Sequence, residues 1–98
     1  MNTVTAVRNR ILQLCEEQGI TINGLATISG LPPSSIKNIL YGKNLNPKIV
    51  TIKMICDGLN ITLREFFSTP EFDGLEQEMK QSHIKGKAPP ALEQRESL

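Results

Sequence analysis

The sequence predicts an all-α fold, a bundle of five short helices with a weaker sixth pattern behind them. Three observations carry that expectation. Apolar residues recur at spacings of three and four from Val7 to Leu59. The runs are broken at Gly19, Gly30 and Gly42 and at Pro32, Pro33 and Pro47. Thr21 and Thr62, residues suited to helix capping, stand directly before new runs. At 98 residues, 39% of them apolar, the chain can fill one small core.

Taken in order, Val7, Ile11, Leu14 and Cys15 put one stripe on a first helix over residues 4–18, which Gly19 stops. Thr21 caps a second helix that begins at Ile22 and ends near Ser29, with Ile20 and Leu25 spaced to staple its entry. Gly30 supplies the left-handed residue that lets one helix stop and another start at a steep angle. Pro32 forbids the second helix from running on, and Pro33 suits the first turn of a third. That third helix covers residues 33–41. It has no side-chain cap at Pro32, a loss that Ser34 or Ser35 offsets in part. Its Ile36, Ile39 and Leu40 face inward, and Pro33, Ser34, Lys37, Asn38 and Tyr41 face outward.

After the loop "KNLNP", Ile52, Ile55, Cys56 and Leu59 mark the stripe of a fourth helix. Thr62 and Glu65 form a capping box for a short fifth helix ending in Phe66 and Phe67. Residues 1–68 are therefore expected to form one domain, and residues 69–98 a tail. Within the tail, Thr69 as cap, Pro70 at the first position, and Phe72, Leu75 and Met79 on one face suggest a short helix over 70–80. The remainder, with "KGKAPP" inside it, reads as disordered. The stripe has two uses open to it, folding back on its own core or forming a dimer interface.

The net charge of +1 hides an uneven distribution. Residues 1–68 hold seven Lys or Arg against four acids, while the tail holds four bases against six acids. No Asp or Glu occurs between Glu17 and Asp57, and the bases in that interval are Lys37, Lys43, Lys48 and Lys53. A polyanion would meet no fixed negative charge there. With 4% aromatic residues and no Trp, a stacking platform for single strands is disfavoured.

Other classes lack their chemistry. Cys15 and Cys56 both sit in apolar patterns and read as buried free thiols. His83 is the single histidine and has no second ligand nearby, so no metal site is expected. There is no phosphate-cradling Gly-rich loop and no carboxylate pair set into an expected pocket, so neither an enzyme nor a cofactor is expected. No apolar run reaches the roughly 18 residues of a membrane span, and no signal pattern opens the chain, which points to the cytoplasm.

The functional signal lies in residues 21–42. Ala26 is a small residue where two helices touch, Gly30 follows four positions later, and Ile36 and Ile39 anchor ten and thirteen after the Ala. This is helix-turn-helix spacing. "LATISGLPPSSIKNILYGK" followed by "NPKIVTIKMICDGLNITLREFF" closely resembles the five-helix DNA-binding domain of lambda-repressor and Cro-like (XRE-type) bacterial and phage regulators, over roughly residues 7–68.

The resemblance implies a helix 3 lying in the major groove of double-stranded DNA, in a regulator that binds as a homodimer and acts as a repressor. By position, Pro33, Ser34, Lys37 and Asn38 fall where such proteins place base-contacting side chains. Lys43, Asn44 and Lys48 match loop positions that grip the backbone. Tyr41 either packs over the end of helix 3 or bonds a phosphate. Two positions depart from the family pattern, which often has Gln where Ile22 stands and Ser-Gln where Pro32-Pro33 stands. Backbone anchoring is therefore expected to shift toward Thr21, Asn23 and the loop lysines. Neutralising about four phosphates per protomer gives weak, salt-sensitive binding, so two half-sites roughly 34 Å apart are expected. The rival readings are a protein-interaction module that uses the helix 3 face or the 70–80 stripe, an antitoxin-like autoregulator on the same bundle, and non-specific DNA coating.

Overall fold

Residues 1–79 are described in a computed structural model of the chain. Six helices follow one another: α1 (Thr3–Gln18), α2 (Ile22–Ser29), α3 (Pro33–Leu40), α4 (Ile49–Leu59), α5 (Leu63–Phe66) and α6 (Pro70–Asp73). The core gathers the expected stripes. Ile11, Leu25, Ile36, Ile39, Ile55 and Phe66 are fully buried, with Val7, Leu14, Ala26, Ile52 and Leu59 around them. Cys15 and Cys56 lie in the same core as free thiols, and burial raises the pKa of both.

Local chemistry sets the helix ends. Asn2 caps α1 through Thr5 N–H at 3.0 Å, and Thr21 caps α2 through Gly24 N–H at 2.9 Å. Thr62 and Glu65 close both bonds of their capping box at 3.0 and 2.9 Å. Gly30 takes φ +69°, and Leu31 N–H reaches back to the Ala26 carbonyl at 3.0 Å. The chain can then leave α2 and enter α3 within three residues. Pro32 leaves the start of α3 with no side-chain cap. The compensation expected from Ser34 or Ser35 does not occur; Ser35 instead donates its backbone N–H to the Pro32 carbonyl at 2.9 Å.

Two side chains of α1, Arg10 and Gln18, tie distant parts together. Arg10 is buried, and its guanidinium donates to the carbonyls of Phe66 and Glu65 at 2.7 and 2.8 Å and to Gln13 Oε1 at 2.8 Å. It thereby satisfies the Phe66 carbonyl at the end of α5 and shares the Glu65 carbonyl with the Ser68 hydroxyl. Gln18 does the same for Leu59 at the end of α4, at 3.1 Å. At Gly58 of α4 the end of α2 approaches closely. A Cβ built there would lie 2.7 Å from Ser29 Oγ and 2.8 Å from the Ile28 carbonyl oxygen.

The sixth helix differs from the expectation. It is a single turn, Pro70–Asp73, ending at Gly74, and Thr69 makes no side-chain cap. Its stripe folds back in part: Phe72 packs against Phe67 and Phe66 with ring centroids 4.9 and 6.2 Å apart, and Leu75 is half-buried, while Met79 is exposed. The chain from Leu75 to Met79 is drawn out along the start of α1. There Glu76 N–H meets the Met1 carbonyl at 3.3 Å, the Met1 ammonium pairs with Glu76 at 3.2 Å, and Glu78 accepts from Thr3 N–H at 2.9 Å. These bonds replace the helical ones that residues 75–79 would otherwise make. The disorder expected for residues 81–98, together with His83, lies outside the described residues.

Candidate nucleic-acid interface

An eight-residue helix is too short to be stable in water by itself, so α3 holds its shape by docking. Ile36 and Ile39 are fully buried and Leu40 nearly so, each contributing about 2 kcal/mol of burial. With that face turned inward, Pro33, Ser34, Lys37 and Asn38 are all solvent-exposed on the outer one. Tyr41 ends the helix at 67% exposure, so it does not pack over it.

The end of α3 is tied down bond by bond. The Lys37 carbonyl accepts from Tyr41 N–H at 2.8 Å, the Asn38 carbonyl from Asn44 N–H at 2.8 Å, and the Ile39 carbonyl from Arg8 Nε at 2.7 Å. The cationic guanidinium sits at the negative end of the helix, where it is favoured. Sequence reasoning counted Arg8 only as a charge. Its structural role spans 31 residues and left no local signal.

Beyond α3 the chain forms a polar recess of about 490 Å³, lined by Asn38, Lys43, Asn44 and Lys48 together with Ser35, Asn46 and Thr51. Four of the ten residues expected to meet DNA are thus brought together. Ser35 and Thr51, which were not anticipated, stand three residues from Asn38 and Lys48 and share their helix faces. Asn44 Oδ1 accepts from Asn46 N–H at 2.9 Å, which fixes the loop and leaves the amide nitrogen for another acceptor. Lys48 is the N-cap of α4 and offers no side-chain bond, so the open first turn of α4 borders the recess. Two ammonium groups beside free helical N–H groups suit a phosphate.

Thr21 and Asn23 lie apart from this recess at the start of α2. The Thr21 hydroxyl is engaged by Gly24 N–H, and Asn23 is exposed with its carbonyl bonded by Thr27 Oγ1 at 3.1 Å. Of the four lysines in the acid-free interval, Lys53 pairs with Asp57 one turn on. Lys37, Lys43 and Lys48 make no ion pair among the described residues. Among those residues no group of three or more His, Cys, Asp and Glu could hold a metal ion, and no helix is long and apolar enough to cross a membrane.

The comparisons agree with this geometry. No curated protein matches the chain. Among solved structures, the crystal structure of the prophage Lp1 protein 11 is similar at TM-score 0.67 and 32% identity, covering 76% of this chain and 100% of that one. The family model of the Cro/C1-type HTH DNA-binding domain matches residues 10–71, which takes in α2, α3 and the loop that carries the recess. With the family model spanning the bundle and the structure supplying its helix-turn-helix, the chain belongs to the Cro/C1-type helix-turn-helix DNA-binding family.

Proposed function

We propose that the protein is a sequence-specific regulator of transcription that places α3 in the major groove of double-stranded DNA and represses from a partly palindromic operator as a homodimer in the cytoplasm. The observation that carries this reading is the continuity of one surface: the exposed polar side of α3 runs directly into the recess holding Lys43, Asn44 and Lys48. In this reading Ser34, Lys37 and Asn38 read base edges, and Pro33 keeps the leading end of the helix slim. Asn38 offers its amide to adenine, and Lys37 reaches guanine or a phosphate. Lys43, Asn44 and Lys48 hold the phosphate that follows, with Tyr41, Thr21 and Asn23 at the flanks.

Small polar side chains on α3 let the helix approach the groove floor, whereas a protein partner would need an apolar anchor that this face, Tyr41 apart, does not carry. The domain itself is taken as residues 1–68, with residues 69–79 bracing the start of α1 through Glu76 and Glu78.

The test is selection of bound duplexes from a random pool, followed by salt titration of the enriched sequence. The expected motif has two-fold symmetry, and each of Lys37→Gln, Lys43→Gln and Lys48→Gln lowers the slope of log K against log salt by about one when it removes a phosphate contact. An Asn38→Ala variant relaxes preference at one position per half-site. Equal affinity for unrelated duplexes, or affinity unmoved by the three lysine changes, would sink the reading.

A further inference from the structure

The DNA-binding reading leaves Arg8 of α1 unused. Arg8 is half-buried, its Nε donates to the Ile39 carbonyl at 2.7 Å, and its Nη2 is shut off from solvent with no hydrogen-bond partner among the described residues. That Nη2 lies 3.9 Å from where a Cβ of Gly42 would stand, and Gly42 holds φ +91°. One guanidinium thus underlies both the end of α3 and the glycine turn that leads to Lys43. For stability alone this is a poor arrangement, since no acid among the described residues pairs with the cation and one of its donors goes unanswered. What it supplies is direction: the guanidinium is planar and rigid, so a bond through Nε fixes the carbonyl in position and in angle.

We infer that Arg8 is a positioning residue for sequence discrimination: it touches no DNA itself, but sets the roll of α3 on the bundle and so the aim of Lys37 and Asn38 at base edges; this rests on the DNA-binding reading above.

Burial of Ile36 and Ile39 decides which face of α3 points inward. Apolar contact is non-directional, however, and leaves the helix free to roll by a few degrees about that seam. The bonds on the Lys37 and Asn38 carbonyls come from Tyr41 and Asn44, in the segment that follows α3, and move with it. The bond on the Ile39 carbonyl comes from another helix, and it resists roll. Side-chain tips stand about 6 Å from a helix axis, so a roll of about 10° carries them about 1 Å, enough to break a base-edge hydrogen bond. A phosphate contact tolerates that shift, because a lysine ammonium on a flexible stem acts as a point charge. Loss of Arg8 therefore costs discrimination and spares the salt-dependent, sequence-independent part of binding. The effect is graded along α3: Lys37 and Asn38 stand just before the anchored carbonyl, whereas Ser34 sits in the first turn beside Pro33, whose ring fixes its φ.

The experiment uses the full chain and its Arg8→Met and Arg8→Lys variants, with circular dichroism melts fixing a temperature at which each is folded. The probes are the duplex enriched by selection and an unrelated duplex of equal length, each titrated over a range of salt. In Arg8→Met the ratio of the two affinities is expected to fall about tenfold, the loss falling on the base pairs that Lys37→Gln and Asn38→Ala also relax. The salt slope on either duplex stays within about half a unit of the wild type, because no phosphate contact is lost. In the free variant, amide hydrogen exchange at Tyr41 and Asn44 quickens about tenfold, while that of the Leu25 amide, bonded to the Thr21 carbonyl, holds. Arg8→Lys keeps the charge and a donor for Ile39 but not the planar fork; it is expected to lose about threefold in the ratio, which carries the test should Arg8→Met not fold. An unchanged ratio in the folded variants, an equal loss on both duplexes, or a salt slope lowered by about one, which marks Arg8 as a phosphate contact, would overturn the inference. So would unchanged exchange at Tyr41 and Asn44. A wild type that binds neither duplex overturns the DNA reading instead, and the exchange rates still judge whether Arg8 holds the end of α3.

Discussion

Replacing Gly58 by Ala sets two physical effects of opposite sign against each other, and the structure fixes which one wins. Gly58 lies inside α4, where Ala would raise helix propensity by about 1 kcal/mol. If α4 were a solvent-facing helix, the variant would be more stable. However, a Cβ at this position would stand 2.7 Å from Ser29 Oγ, 2.8 Å from the Ile28 carbonyl oxygen and 2.9 Å from its carbon. The hydroxyl can rotate away, but the Ile28 carbonyl is part of α2 and cannot. Relief to ordinary contact therefore moves α2 off α4 by about half an ångström. A radial gap of about that size forfeits roughly a quarter of each van der Waals well along the crossing. Overpacking of this kind costs about 1–3 kcal/mol and more where backbone is involved, so about 3 kcal/mol against the 1 kcal/mol gained leaves a net loss near 2 kcal/mol. For a domain of this size that lowers Tm by about 8–16 °C. The assay is thermal unfolding followed by circular dichroism. A second variant, Gly58→Ala/Ser29→Ala, separates the two contacts: if the Ile28 backbone is the obstacle, removing the hydroxyl recovers less than half of the loss. A Gly58→Ala protein that melts at or above the wild type refutes the account of the α2–α4 crossing.

Four further outcomes follow from named contacts. Arg10→Met strands the Phe66 carbonyl and leaves Glu65 with only its Ser68 bonds, and should lower the unfolding free energy by about 1–3 kcal/mol, read from the urea midpoint at constant m-value; a loss below about 0.5 kcal/mol contradicts the bracing role. Ser29 Oγ is buried with no partner, so Ser29→Ala should stabilise the wild-type background by about 0.5–1 kcal/mol in the same assay. The Thr3 N–H bond holds the Glu78 carboxyl below its ordinary 4.5; its folded pKa being lower than its unfolded one, the contribution is present above the unfolded value and fades as pH falls through the folded one, which an NMR titration of that carboxyl should show and Glu78→Gln should abolish. Burial raises Cys15 and Cys56 above their ordinary 9.0, so stability is held below that pH and lost as pH climbs through the raised values, and iodoacetamide at pH 8 should label the unfolded chain but not the native one.

What was legible in the chain and what was not divides along sequence distance. The Thr21 cap, the Gly30 turn and the Thr62–Glu65 box each rest on residues within four positions of one another, and each is found where the spacing places it. The short length of α6 was not legible, because Phe72, Leu75 and Met79 have perfectly good helical spacing. What ends the helix is competition: the Met1 carbonyl takes Glu76 N–H, the bond that a continuing helix would give to Phe72. The partners of Arg8 and Arg10 stand 31 and 56 residues away, and no periodicity encodes them. The Lys53–Asp57 pair, by contrast, is an i,i+4 contact that could have been discounted from the basic face at the start. Within the candidate site, Asn38, Lys43, Asn44 and Lys48 could be picked by residue type and position, whereas the closing of the loop by Asn44 onto Asn38 and Asn46 depends on backbone bonds that composition does not show.

That loop explains how so short a helix can serve as a reading head. Its leading end has no side-chain cap and its sequence carries Pro, Ser and Asn, poor helix formers all. Left to propensity, α3 would fray, and a groove-reading surface that frays loses affinity to ordering entropy. Instead Ile36 and Ile39 pin one face to the core, and the carbonyls of Lys37, Asn38 and Ile39 are each bonded, the last by a guanidinium rooted in the sixteen-residue α1. The longest of the described helices thus sets the pose of its least self-sufficient neighbour. The outer positions of α3 are consequently free of any structural duty and can be chosen for the partner they meet.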